Sequence, residues 1–388
     1  MIYLDNNATT KVASEVFKAM EPYFSDEYGN PSSFHELGAK AKRALDEARS
    51  QMASSLGARL EREIVFTSSG TESNNTAVRS ALKKFPKRRR IVTTAVEHSS
   101  IKNLCAALQK EGYEIISIGV SKTGALDWDE FNSALSNETA IVSVMWANNE
   151  TGVLFPIEKL ARETQRRGIL LHVDAVQAAG KIPINLSKIQ VDFLSVSAHK
   201  FHGPKGAGAL FIRESTPFEP LIFGGGQELD RRSGTENVPG IVGMSEAIKT
   251  ACRRLTDDGP KISRLRDRLE NGLLSLIPES FANGKSEDRI PNTSNITIPG
   301  LEAEALLIQL SEAGLAASSG SACSTGALEP SHVLQAMGHS RQLAMSSIRL
   351  SLSRYTTEGE ITKALEIIPQ TVSELRKLNR IEMRGATS

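Results

Sequence analysis

A lysine and a carboxylate stand at the ends of two neighbouring strand-like segments, and together they suit the chemistry of one cofactor. Lys200 lies in Ser197-Ala198-His199-Lys200-Phe201-His202-Gly203-Pro204-Lys205-Gly206. The residues ahead of it, Val191-Asp192-Phe193-Leu194-Ser195-Val196, alternate as a half-buried strand does, and Gly203, Pro204 and Gly206 then turn the chain. Upstream, Ile169-Leu170-Leu171-His172-Val173-Asp174 reads as a second strand that also ends in a charged residue. Strand exits are where open α/β sheets place their ligands. Pyridoxal phosphate needs a lysine amine to hold its aldehyde and an acid to keep its pyridine nitrogen protonated. A lysine after a strand is, taken alone, usually solvated. The pairing with Asp174 is what gives the position weight.

Other polar residues follow strand-like segments too. Thr67-Ser68-Ser69-Gly70-Thr71-Glu72 leaves one strand and opens a helix, so Gly70 and Thr71 are candidate phosphate contacts at the helix start; a plain helix cap is the competing reading. His98, in Glu97-His98-Ser99-Ser100, is placed to stack on a flat cofactor and move protons. In Ala147-Asn148-Asn149-Glu150-Thr151-Gly152 an asparagine can bond a ring substituent or a substrate carboxylate, although a polar turn uses the same residues. Gln177 follows Asp174 by one helical step, so a turn there puts both on one side, Asp174 toward a pyridinium nitrogen and Gln177 toward a ring oxygen. The alternative makes Asp174 an N-cap. Gly224-Gly225-Gly226 and Arg231-Arg232-Ser233-Gly234-Thr235-Glu236 form a turn or reach across a dimer interface to a phosphate. Cys323 sits in Ala317-Ser318-Ser319-Gly320-Ser321-Ala322-Cys323-Ser324-Thr325-Gly326, and this small-residue setting predicts an exposed, reactive thiol, unlike Cys105 beside Leu104 and Leu108. Arg349 shares a strand face with Ser351 and Ser353, where it can clamp a carboxylate or join a surface ion pair, and Arg354 is a rival for the role.

The elements that must position these residues alternate. Ile64–Thr67, Ile91–Thr94, Glu114–Ile118 and Ala140–Met145 read as strands, with helices over Glu72–Phe85, Ile101–Lys110 and Ile157–Arg167 between or after them. Alternation predicts an α/β fold with a mainly parallel central sheet covered by helices, closed by Ala209–Ile212 as a possible antiparallel strand. Thr256-Asp257-Asp258-Gly259-Pro260 reads as a polar break, followed by an amphipathic helix through Ile262, Leu265, Leu269 and Leu273. Strands near Asn295–Ile298 and Ile348–Leu352 and helices over Ala303–Glu312 and Glu358–Leu378 predict a smaller α+β domain. Residues 14–250 are read as a large cofactor-binding domain. Residues 1–13 and 251–388 are read as the small domain, which carries the cysteine stretch at about 318–329.

Composition excludes several classes. The net charge is +1, so no basic or acidic field points to nucleic acid or membranes. The run Lys83-Lys84-Phe85-Pro86-Lys87-Arg88-Arg89-Arg90 reads as a solvated loop. The start shows no charged and apolar leader, no run approaches membrane-spanning length, and three cysteines lack metal-type spacing. A cytoplasmic protein is expected.

Taken together, the motifs resemble the cysteine desulfurases of the NifS/IscS type, class V pyridoxal-phosphate enzymes of fold type I. The resemblance runs from Tyr3-Leu4-Asp5-Asn6-Asn7-Ala8-Thr9-Thr10 to about Leu378 and includes Gly29-Asn30-Pro31-Ser32-Ser33, Glu97-His98, Asn148-Asn149-Glu150, His172-Val173-Asp174, Ser197-Ala198-His199-Lys200 and the Cys323 segment, in family order. The wording Ser-Gly-Ser-Ala-Cys-Ser-Thr-Gly-Ala-Leu-Glu-Pro-Ser-His is similar to the nitrogen-fixation group. The chain lacks the Ser-Pro-Leu-Trp-type tail by which the housekeeping group engages its scaffold.

The resemblance implies a homodimer that takes sulfur from L-cysteine, leaving alanine and a persulfide on Cys323, for an iron–sulfur scaffold protein and, in the nitrogen-fixation group, for nitrogenase maturation. It implies Lys200 as covalent cofactor anchor and proton shuttle, and His98 stacked on the ring. Asp174 would lie at the ring nitrogen, Gln177 at the phenolic oxygen and Asn149 on the cofactor and substrate side. Gly70, Thr71, Ser197 and His199 would hold the phosphate, joined by Thr235 of the neighbouring subunit, and Arg349 would hold the substrate carboxylate. It further implies Cys323 as a transient ligand of a nascent [2Fe-2S] cluster. The competing readings are a housekeeping desulfurase, a selenocysteine lyase or small aminotransferase, and a non-catalytic sulfur-assembly partner. Lys200, Asp174 and His98 together argue against the last.

Overall fold

Seven segments rich in Val, Ile and Phe pair into one sheet: β1 (Ile64–Thr67), β2 (Arg90–Thr94), β3 (Glu114–Ile118), β4 (Thr139–Met145), β5 (Leu170–Asp174), β6 (Phe193–Ser197) and β7 (Gly208–Ile212). The computed structural model describes residues 1–320 and 329–385, with side chains as far as 378. Cys323 lies outside the described residues. The strand order is β1-β7-β6-β5-β4-β2-β3. Neighbours from β3 to β6 run parallel, whereas β7 is antiparallel to both β6 and β1. Every residue of β4, β5 and β6 is buried, as expected for strands covered on both faces. The cover includes α1 (Glu36–Leu56), α2 (Gly70–Lys84), α3 (Ser99–Lys110) and α4 (Ile157–Arg166). Because β1, β2, β4, β5 and β6 share one direction, the loops that follow all five open on one edge of the sheet. Those loops hold Gly70, His98, Asn149, Gln177 and Lys200.

A second sheet follows the order β10 (Ser318–Ser319), β11 (Ser347–Ser351), β9 (Thr293–Thr297), β8 (Phe281–Ala282), all antiparallel. It packs with α6 (Ala303–Glu312) and α7 (Glu358–Gly385) around a core of Ile296, Leu306, Leu310, Ile348, Leu350, Ile361 and Ile368. Ile2 and Leu4 join this core, while Val333, Leu334 and Met337 pack into the core of the large sheet.

The polar break expected at 256–260 is not a break. Helix α5 runs unbroken over Val238–Leu276 with Pro260 inside it. A proline in a helix interior costs about 3 kcal/mol. Here the apolar stripe continues across it, with Ile241, Met244 and Ile248 in the large core and Ile262, Leu265, Leu269 and Leu273 in the small one. Two cores gripping one rod outweigh one lost hydrogen bond. The basic run is also tied into the fold. Lys84 pairs with Glu219 and Arg90 with Glu114, while Arg88 and Arg89 lie over the Phe85 and Tyr113 rings. No described helix is long and apolar enough to cross a membrane.

Candidate active site

Lys200 leaves β6 through a short 3₁₀ turn, Ala198–Lys200, which delivers its side chain to the edge where the other strands end. Its Nζ donates to the carbonyls of Asn7 (2.6 Å) and Ala8 (2.8 Å). Asn7 is the hub of the site floor. Its carbonyl also accepts from Gln177 Nε2 (2.9 Å), and its Oδ1 accepts from Lys181 Nζ (3.1 Å) and Asn292 Nδ2 (3.0 Å). Its Nδ2 donates to Thr293 Oγ1 and to the Asn149 carbonyl. Lys181 Nζ in turn donates to Gln177 Oε1 at 2.5 Å. Burial, then the charges of Lys200 and Arg349, hold the Lys181 amine well below the usual lysine range.

Asp174 ends β5, buried, and its two oxygens are both engaged. Oδ2 accepts from Asn74 Nδ2 (2.7 Å) and Oδ1 from the Val176 amide (3.0 Å). Asn74 projects from α2 and also donates to Ser100 Oγ, while its own Oδ1 is buried with no partner among the described residues. Beneath lies His172, bridging Ser143 and Ser195, with burial pulling its pKa down to about 4. It is a neutral spacer between strands.

His98 caps α3: the Ser100 amide donates to its Nδ1 (3.1 Å). That acceptor role puts the proton of a neutral ring on Nε2. Burial, reinforced by Lys200 and His332 and opposed by Asp174, lowers its pKa. The preceding Glu97 points inward instead. Its Oε1 accepts from Thr94 Oγ1 (2.7 Å) and the Met145 amide (3.0 Å), and burial raises its pKa to about 8.

At the opposite end, Ser69 caps α2 and the first amides of this 15-residue helix face the cleft at Gly70 and Thr71. First-turn amides have no intrahelical acceptor and favour an anion. A Cβ at Gly70 would stand 2.7 Å from Val176 Cγ2, so the backbone lies too close for a side chain. Ser197 and His199 line the same end. His199 Nδ1 lies 3.2 Å from Thr9 Oγ1, and burial followed by the Lys200 charge lowers its pKa to about 4. Arg349, from β11, closes the other side: Nη2 pairs with Asp5 (2.8 Å), Nη1 donates to the Asn149 carbonyl (3.1 Å), and Nε is buried with no partner among the described residues.

Thus Lys200, Asp174, Gln177, His98, Asn149, Gly70, Thr71, Ser197, His199 and Arg349 line one cleft of about 510 Å³. This lies within the roughly 300–1,000 Å³ typical of small-molecule sites. Thr235 does not line it; it lines a separate hollow of about 140 Å³ with Arg232 and Glu236. Arg354 is engaged elsewhere, with Glu15. Sequence reading gave Asn7 and Asn74 no role, although both lie in motifs it quotes, and missed Lys181 altogether. Asn74 carried a local signal as well, since it lies one helical turn after Gly70.

The donor set fits pyridoxal phosphate. The helix start at Gly70, where a Cβ would push Val176 aside, suits a phosphate, and the buried Asp174 carboxylate suits a protonated ring nitrogen. Lys200 offers an amine, and the Arg349 guanidinium offers donors on the cleft wall.

Comparison with known proteins agrees. The Aminotransferase class-V family matches residues 2–364. A cysteine desulfurase of Trichormus azollae is 50% identical over 379 residues, covering 98% of this chain and 94% of that protein. The cysteine desulfurase NifS of Azotobacter vinelandii is 47% identical over 378 residues, covering 97% and 94%. A solved NifS-like protein superposes with a TM-score of 0.90 at 39% identity, covering 96% of this chain and 99% of that one. An amine and a carboxylate on adjacent strand ends, a glycine-floored helix start and this likeness along almost the whole chain lead to one assignment: the chain belongs to the class-V aminotransferase family.

Proposed function

We propose that this protein is a cysteine desulfurase using pyridoxal phosphate, and that the residues of the cleft divide the work as follows. The observation that carries the reading is the joint placement of Lys200, Asp174 and Arg349 around one cleft. Bound there, pyridoxal phosphate supplies an electron-withdrawing ring that accepts the charge left when the substrate loses its α-proton. Lys200 would hold the aldehyde through Nζ and, with that amine free, would take and return the α-proton there. Asp174, fixed by Asn74 and the Val176 amide, keeps a proton on the ring nitrogen. Gly70, Thr71, Ser197 and His199 bind the phosphate, with Thr235 serving the second subunit of a homodimer. Gln177 bonds the ring oxygen. His98 stacks and holds its mobile proton at Nε2. Arg349 exchanges its contact with Asp5 for the substrate carboxylate, a bidentate pairing.

The thiolate of Cys323 then attacks the substrate sulfur. The Cβ–S bond breaks and an S–S bond forms. Cβ is reduced and takes a proton, while the two sulfurs are oxidised, so protein thiol plus cysteine gives protein persulfide plus alanine. The acceptor class is an iron–sulfur scaffold protein, with Cys323 as a passing ligand of its [2Fe-2S] cluster. The likeness to NifS supports a role in nitrogenase maturation. Residues 14–250 form the cofactor-binding domain and residues 1–13 and 251–388 the smaller one.

The test is mass analysis of the Cys323 peptide after incubation with L-cysteine, together with borohydride trapping of the cofactor. We expect one added sulfur on Cys323 and a pyridoxyl label on Lys200. Cys323→Ala is expected to lose sulfide production and keep the label. An unlabelled Lys200, or sulfide production intact in Cys323→Ala, defeats the assignment.

A further inference from the structure

Glu150 sits just past the asparagine pair, held by Asn148 Oδ1, which accepts its backbone amide at 2.9 Å. Its side chain is buried, at 2% exposure, and takes no part in the division of labour above. Two parts of the chain meet on it. Ser331 Oγ donates to Oε2 at 2.5 Å, and the same hydroxyl caps the helix His332–Ala336 through the Leu334 amide (3.1 Å). From the other side Gly320 lies so close that a Cβ there would fall 1.8 Å from Oε2. Gly320 directly follows β10, whose Ser318 is in register with Arg349. Next along the chain, His332 Nε2 is 2.9 Å from the Glu97 carbonyl. Burial raises the Glu150 carboxyl above its ordinary range, against the pull of Ser331, His332 and Arg349.

We propose that Glu150 is a positioning residue for the sulfur-transfer step: its buried carboxyl fixes Gly320 and Ser331, which flank the stretch containing Cys323, to the sheet edge beside Asn149 and Arg349. Cys323 is three residues beyond Gly320 in sequence. Gly320 itself lines the cleft. Glu150 touches neither cofactor nor substrate in this scheme. It governs the step that needs Cys323 and not the proton chemistry at Lys200. The inference rests on the desulfurase reading.

The experiment compares the two steps in the full-length holoenzyme. Exchange of the α-proton of L-alanine in deuterated water needs Lys200 and cofactor but no thiol. Single-turnover persulfide formation on Cys323 needs both. Glu150→Ala is expected to slow persulfide formation at least tenfold while α-proton exchange stays within about threefold, with each tenfold loss equal to about 1.4 kcal/mol. Gly320→Ala, which drives a methyl group into the carboxyl, is expected to slow persulfide formation likewise, and Glu150→Gln to lie between Glu150→Ala and wild type. Equal losses in both steps, or persulfide formation unchanged in Glu150→Ala, overturn the inference. If Glu150→Ala does not fold, Gly320→Ala and Glu150→Gln decide it by the same comparison. A wild-type enzyme that exchanges the α-proton but forms no persulfide on Cys323 refutes the desulfurase reading itself, and this proposal with it.

Discussion

At Glu97 a carboxyl is sealed between two strand ends with one oxygen satisfied by Thr94 and Met145 and the other, Oε2, buried with no partner among the described residues. Such an oxygen is tolerable when it carries the proton, and burial raises the group to about 8. The sign follows from proton counting. An unfolded chain releases this proton in the ordinary carboxylate range, whereas the folded one keeps it to about pH 8. Stability from this group is full below the carboxylate range and is lost as pH rises through 8. Glu97→Gln keeps the acceptor and removes the titration. The variant is expected to match wild type in urea unfolding near pH 5 and to exceed it by about 1–3 kcal/mol at pH 9. A variant less stable than wild type at both pH values refutes the buried proton. The same logic explains what sequence reading missed at this scale. Asn7 and Lys181 are distant in sequence from each other and from Lys200. Only a chain that returns its first residues to the sheet edge makes them a hub.

Helix α2 shows what an element contributes. That a small-residue cap opens it is legible from Thr67-Ser68-Ser69-Gly70-Thr71, as are the seven strands of the large sheet. The reason is physical: buried strands need β-branched and aromatic runs, and helix starts need small polar caps. The helix begins at Gly70 rather than Glu72 because the capping serine lies two residues earlier than the apolar pattern suggests. Gly70→Ala would place a methyl 2.7 Å from Val176 Cγ2. Overpacking of this kind costs about 1–3 kcal/mol. Binding of pyridoxal phosphate to the apoprotein, followed by fluorescence, is expected to weaken about tenfold or more. Val176→Ala in the same chain is expected to restore most of it. No recovery would mean that the glycine serves the backbone alone. The proline in α5 was misread for the converse reason, since local propensity cannot see two cores gripping one helix.

Across the whole molecule, buried histidines set the acid limit. His172, His199 and His202 are all lowered to about 4, chiefly by burial. Unfolded histidines take up protons near 6.5. The folded protein therefore binds fewer protons between pH 6.5 and 4, and stability falls as pH drops through that window. The urea midpoint is expected to be highest near neutrality, falling on the acid side through these histidines and on the alkaline side through Glu97. His172→Gln, in the least exposed site, is expected to lower the midpoint at pH 7 and to flatten its acid slope. An unchanged slope would show that His172 is protonated in the fold.

The sequence by itself determined the chemistry: an amine, a carboxylate, a cap for an anion and a lone thiol in a small-residue setting follow from residue type and local pattern, because reactivity and turn geometry are local properties. What only the tertiary structure decided is who stands beside whom. It brought Asn7 and Asn74 to the cleft and Lys181 behind them against Asn7 and Gln177, kept Thr235 and Arg354 out of the cleft, and set Glu150 between Gly320 and Ser331. Those adjacencies join residues far apart in the chain, and they exist only because parallel strands gather their ends on one edge.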